Sequence, residues 1–165
     1  DDGEKFLPSS PILYANDLDV SHRSGVVFFT DSVAIAPVRN SLGFWDTMQA
    51  YVMSLAQGEA TGRLLSFDPA TRETRVVADG FWFANGVALS PDETWAAVVE
   101  TNSLRVWKVY VEGPKRGQKE VLVEGLPGYP DGISRAFSPS PSSSSSSKDP
   151  EEARAKGEGA TEEEA

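Results

Sequence analysis

The sequence has no cysteine and a single histidine, His22. Disulfides, thiolate chemistry and cysteine-based metal sites are therefore excluded, while the redox compartment stays open. His22 lies in a turn-like run, His22-Arg23-Ser24-Gly25, away from any nucleophile, and reads as a solvent-facing turn residue. No G-x-S-x-G occurs and no Ser-His-Asp triad can be assembled. No apolar run approaches the roughly 20 residues that span a bilayer. No signal peptide is visible, and no N-x-Ser/Thr sequon occurs. Basic residues are scarce: 15 Lys and Arg face 25 Asp and Glu, a net charge of −10. That balance argues against nucleic acid or an anionic membrane surface as partner. The first residue is Asp rather than Met, which reads as a processed or partial chain.

What is present falls into two regimes. Residues 1–137 mix apolar, aromatic and turn residues, as a folded domain does. Residues 138–165 run through polyserine into an acidic stretch with no Val, Ile, Leu, Met or aromatic residue. Such a tail cannot offset its ordering entropy by burial and is expected to be disordered. It reads as a solvated tail or low-complexity insertion; a phosphorylated or docking tail is the functional alternative.

The folded part reads as strands: Val26–Ser32, Arg63–Asp68, Thr74–Asp79, Gly86–Ser90, Trp95–Thr101, Arg105–Val111 and Glu120–Gly125. All are short and rich in β-branched and aromatic residues, with Gly, Pro, Asp and Ser clusters between them. The connection from Val33 to Gly62 is the exception. Its Leu42–Gly58 stretch predicts a short helix or an ordered loop, and a lid resting on Phe44, Trp45 and Tyr51 is one use for it.

The chain also repeats itself. Ala15-Asn16 and Ala84-Asn85 each open an alternating apolar stretch, and Pro130-Asp131-Gly132-Ile133-Ser134 resembles a third, clipped copy. Phe28–Asp31 matches Val98–Thr101, and the Arg63–Gly80 hairpin matches Leu104–Gly125. Asn85 and Asp131 are 46 residues apart, and the longer Asn16-to-Asn85 interval contains the extra connection. Four strands per repeat at this period predict an all-β chain, about two and a half blades of a β-propeller, rather than a sandwich.

In a propeller the first strand of each blade lines the central channel. Asn16, Asn85 and Asp131 would then converge near the axis. Two amide oxygens and a carboxylate are hard ligands that suit Ca²⁺. Alternatively, each is a turn or blade-start residue bonded to backbone.

Several stretches resemble the strictosidine synthase-like family. They are Ala15–Val20, Val26–Ser32, Gly62–Thr101, Val109–Gly117 and Leu126–Ser134. The resemblance implies a six-bladed β-propeller, distantly related to paraoxonases and gluconolactonases. It implies a Ca²⁺-dependent hydrolase of arylesterase or lactonase type, with Asn16, Asn85 and Asp131 as metal ligands. Metal-free condensation of an amine with an aldehyde is the alternative, as is a non-enzymatic or inactive partial propeller. Two glutamates of the relatives, a metal ligand from an earlier blade and a general acid/base from a later one, have no counterpart here. Gly132 stands where the family usually has Asn. The implied partners are a small-molecule substrate in the channel, and either missing blades or a second copy at the open blade edges. The implied compartment is secretory, endoplasmic reticulum or membrane-associated.

The remaining candidates are secondary. Asp17 could support the ligand beside it, and Asp19 reads as turn chemistry. Trp82 is the tryptophan placed at the channel mouth, whereas Trp95 and Trp107 alternate with apolar residues and read as inter-blade core. Asp31 and Glu100 hold equivalent blade positions and read as structural. No catalytic residue can be assigned.

Overall fold

Side-chain alternation and turn chemistry divide the chain into short strands. The computed structural model describes residues 5–6 and 11–136, so the serine-rich and acidic tail lies outside the described residues. In chain order the elements are β1 (Lys5–Phe6), β2 (Ala15–Val20), β3 (Val27–Asp31), β4 (Val38–Arg39), β5 (Trp45–Asp46), α1 (Thr47–Gln57), β6 (Gly62–Asp68), β7 (Glu73–Phe81), β8 (Ala84–Leu89), β9 (Trp95–Glu100), β10 (Arg105–Tyr110) and β11 (Lys119–Val123). Every expected strand is present. The β1 strand and the β4–β5 hairpin were not foreseen, because two-residue strands carry no periodicity to read.

Two antiparallel meanders result. One runs β2-β3-β6-β7, with β1 added at its outer edge, and the other runs β8-β9-β10-β11. These are two propeller blades, and residues 130–134 begin a third against β8. Register places Asp31 opposite Ala15 and Glu100 opposite Ala84. The repeat therefore aligns Phe28–Asp31 with Ala97–Glu100, one residue earlier than the sequence match suggested, because Asp31 and Glu100 each pair with the alanine that precedes the asparagine.

The core lies between the blades. Phe28, Leu64, Val77 and Phe81 of the first pack with Val87, Leu89, Ala96, Val98 and Val109 of the second. Trp107 joins them, edge-on to Phe81 at 6.4 Å. Trp95 does not; it packs with Ala97, Val99 and Val106 on the other face of the second blade. Register explains the split. Trp107 faces Val98 across the sheet, and Trp95 lies an odd number of residues from Val98, so its side chain leaves by the opposite face.

Polar clamps close the same interface. The inner strands β2 and β8 are not paired as a ladder, which leaves backbone donors of β8 to be satisfied some other way. Val87 N–H donates to Asp17 Oδ2 at 2.9 Å, and Leu89 N–H donates to Asp19 Oδ2 at 2.8 Å. Asp19, expected in a turn, thus sits within β2 and joins the blades. At the outer edge, Lys119 Nζ donates to the Asp79 and Gly80 carbonyls.

The long connection holds β4, β5 and α1. Asp46 caps the helix by accepting from Gln49 N–H, and Gly58 ends it with a left-handed φ of 67°. Among the described residues, no helix is long and apolar enough to cross a membrane.

Candidate functional site

Asn16 and Asn85 are held in the same way. Asn16 Nδ2 donates to Ser32 Oγ at 2.9 Å, and Asn85 Nδ2 donates to Thr101 Oγ1 at 3.1 Å. In both blades the hydroxyl lies sixteen residues after the amide, on the residue that follows the second strand. With each nitrogen committed, neither amide oxygen accepts a hydrogen bond within the described residues. Both oxygens remain unbonded acceptors on residues that line one cleft.

That cleft, about 440 Å³, is lined by Asn16, Asp17, Asn85, Asp131, Gly132, Ile133 and Ser134. The structure thus brings together the three channel residues picked out in the sequence, with Asp17 beside them. Asn85 is buried, while Asn16 and Asp131 are exposed. Asp17 Oδ1 also accepts from Leu18 N–H at 2.9 Å, so its two oxygens are both occupied by backbone donors. Asp131 is the carboxylate of the cleft that makes no hydrogen bond among the described residues.

A relay of hydroxyls and carbonyls sets the spacing. Thr30 Oγ1 donates to Asn85 O at 2.7 Å, and Thr101 Oγ1 donates to Pro130 O at 2.8 Å. Gly86 N–H donates to Asp131 O at 2.9 Å. A Cβ on Gly86 would lie 2.6 Å from Ile133 N and 2.8 Å from Asp131 O. Glycine is required at this position so that the third-blade segment can approach β8.

Trp82 stands apart from the cleft lining. Its indole N–H donates to Ser54 O of α1 at 3.4 Å, and its backbone N–H donates to Glu100 Oε1 at 2.7 Å. Phe44 and Trp45 are exposed, and Arg39 stacks over the Trp45 ring. Tyr51 packs edge-on to Phe83, with centroids 5.1 Å apart. His22 contributes its backbone N–H to Glu93 Oε1 at 3.0 Å.

Asp31 and Glu100 are buried and ion-paired, to Arg63 and Arg105 respectively. Asp31 also accepts from Leu13 and Tyr14 N–H, and Glu100 accepts from Trp82 N–H and Trp107 Nε1–H. These carboxylates anchor the segments that lead into β2 and β8, and neither lines the cleft.

The donor set is therefore two free amide oxygens and one free carboxylate, all from successive blade starts. It is chemically matched to a hard divalent cation, although three side chains supply only part of the six to eight oxygens that Ca²⁺ takes. Among the described residues, no three His, Cys, Asp or Glu side chains converge as a metal cluster. Sequence reading passed over the paired hydroxyls of Ser32 and Thr101. Their signal was the constant sixteen-residue offset from each asparagine.

Comparison with known proteins places this architecture. The strictosidine synthase family profile matches residues 16–114. Protein strictosidine synthase-like 13 of Arabidopsis thaliana is 42% identical over 127 residues, covering 77% of this chain and 28% of that protein. The human adipocyte plasma membrane-associated protein is 38% identical over 120 residues, covering 73% of this chain and 26% of its own length. A gluconolactonase structure from Xanthomonas campestris shares the fold, with a TM-score of 0.51 and 22% identity over 73% of this chain and 37% of its own. The chain spans less than a third of the length of these curated relatives. With the profile covering more than half of the chain and beginning at Asn16 itself, the chain belongs to the strictosidine synthase family.

Proposed function

We propose that the whole protein is a Ca²⁺-dependent hydrolase of arylesterase or lactonase type, and that this chain supplies part of its metal site. One observation carries the reading: Asn16 and Asn85 are oriented by matching hydroxyls, so that both amide oxygens are left free beside Asp131. Amides needed only for blade-start bonding would have no reason to leave the same atom free twice. A cation held there would act as a Lewis acid on an ester or lactone carbonyl. The chain's own contribution is positional. Ser32 and Thr101 fix the amides, Asp17 ties β2 to β8, and Gly86 admits the Asp131 segment. Relatives named for the plasma membrane support a secretory or membrane-associated setting.

Calorimetric titration of Ca²⁺ tests the site. Among the described residues the cleft offers one free carboxylate, Asp131, so binding there by residues 1–165 should be weak or undetectable. A longer chain with an upstream blade that supplies a glutamate should bind clearly, lose binding on Asp131→Ala, and hydrolyse an aryl ester or lactone. Tight binding by residues 1–165 that survives Asn16→Ala and Asn85→Ala would place the metal elsewhere. The family match favours a second reading, metal-free amine–aldehyde condensation. Absence of Ca²⁺ binding in both chains would shift the assignment to it.

A further inference from the structure

Helix α1 buries the opposite face from an ordinary surface helix. Such a helix turns its apolar stripe to the core and shows charge to water. Here the fully buried residues are small, Ala50 and Ser54, with Tyr51 packed on Phe83 beside them. Ser54 O accepts from the Trp82 indole N–H, and Ser54 Oγ accepts from Asn102 Nδ2 at 3.4 Å. Met48, Val52 and Leu55 follow helical spacing along the far side, and all three are exposed. None of the eleven residues of α1 is charged.

The exposed apolar surface extends into the β4–β5 hairpin that leads into the helix. Leu42 is 79% exposed and Phe44 69%. Trp45 is exposed as well, with the Arg39 guanidinium 4.7 Å from its ring centroid. Between Val33 and Gly62 only Arg39, Asp46 and Glu59 are charged, three residues in thirty, whereas the whole chain is 24% charged. Asp46 caps α1, and Glu59 accepts from Gln57 Nε2 at 3.2 Å. Arg39 makes no ion pair among the described residues. Apolar side chains exposed in such number mark a surface that a partner covers.

Charge decides which partner. A chain of net charge −10, with a single cation in this segment, is repelled by an anionic surface. A zwitterionic phospholipid surface is complementary. Its acyl boundary takes the apolar side chains, its phosphates take the one unpaired guanidinium, and tryptophan favours the headgroup level. We propose that α1 and the tip of the β4–β5 hairpin form a lipid-docking surface, which sets Leu42, Phe44, Met48, Val52 and Leu55 at the acyl boundary of a zwitterionic membrane and Arg39, over Trp45, at its phosphates. The inference rests on the membrane-associated setting proposed above, and not on the metal or on hydrolysis.

The test floats residues 1–165 on a density gradient with phosphatidylcholine vesicles. EDTA is present throughout, so that Ca²⁺ cannot bridge protein to phosphate. The protein should float with the vesicles, and added phosphatidylserine should not strengthen binding. Leu42→Asp and Val52→Asp should each weaken partitioning by at least about tenfold. Val121→Asp, on an exposed apolar edge outside the patch, should stay within about twofold. Leu42→Asp lies outside the helix, so it reports on binding even if Val52→Asp frays α1. Lipids with brominated acyl chains should quench tryptophan emission, and Trp45→Phe should remove most of that quenching while the protein still floats. Failure to float, or an equal loss in Val121→Asp, would overturn the proposal. So would Asp variants that float normally but no longer self-associate, because a second copy would then be the occupant. Fractionation of the whole protein tests the setting separately: a membrane-bound whole protein, with no vesicle binding by residues 1–165, would overturn the docking surface alone.

Discussion

At the scale of the residue, Glu93 shows how much one carboxylate can hold. It accepts from Ser21 Oγ at 2.6 Å, from His22 N–H and from Arg23 Nε, so a turn of the second blade grips a turn of the first. The Ser21 hydrogen bond, working against burial and together with His22 and Arg23, brings its pKa from 4.5 to about 2. A carboxyl depressed by folding stabilises the fold above its unfolded pKa, and that contribution is lost as pH falls through the folded one. Glu93→Gln should therefore flatten the fall in melting temperature between pH 4.5 and about 2; an unchanged slope would contradict this. Glu100 is a harsher case. Burial pushes its carboxyl up, but Arg105, Trp82 N–H and Trp107 together hold it below its usual value. Glu100→Ala would strand these donors and should cost about 3–5 kcal/mol in urea unfolding. A loss under about 1 kcal/mol would mean that the pair is dispensable.

At the scale of the element, α1 and the third-blade segment that lines the cleft are each seated by one local feature. Asp46 is the N-cap of α1, so Asp46→Ala should cost about 1 kcal/mol. Hydrogen exchange should show that cost confined to the first turn of the helix, and a change spread evenly over both blades would count against it. Gly86→Ala acts elsewhere. The added Cβ meets backbone atoms of Asp131 and Ile133 rather than a mobile side-chain tip. The segment must move away, so the Gly86 amide should lose its protection from exchange while Val87, held by Asp17, keeps its own. Overpacking of this kind costs about 1–3 kcal/mol.

At the scale of the whole molecule, two blades leave two unmatched faces. Leu18 and Val20 are exposed on β2, as are Val121, Leu122 and Val123 on β11. Val27, Phe29 and Phe67 line an apolar groove of about 330 Å³ on the open side of the first blade. Unpaired apolar edges invite association. Residues 1–165 are therefore expected to self-associate as concentration rises, which sedimentation velocity would reveal. A monomer with a sharp, concentration-independent melt would contradict that expectation.

The amino-acid sequence by itself determined the strands, their turns and the repeat, because period-two alternation and Gly, Pro and Asp punctuation are local properties. It also singled out Asn16, Asn85 and Asp131, since a repeated residue is visible without coordinates. Tertiary structure decided what local pattern cannot carry. It separated Trp95 from Trp107, because which face a residue takes depends on its pairing partner. It committed Asp17 and Asp19 to the next blade, because the donors they satisfy are seventy residues away. It also brought Tyr51 onto Phe83, since only packing of α1 against the blade-start segments joins a helix to a strand distant in the chain.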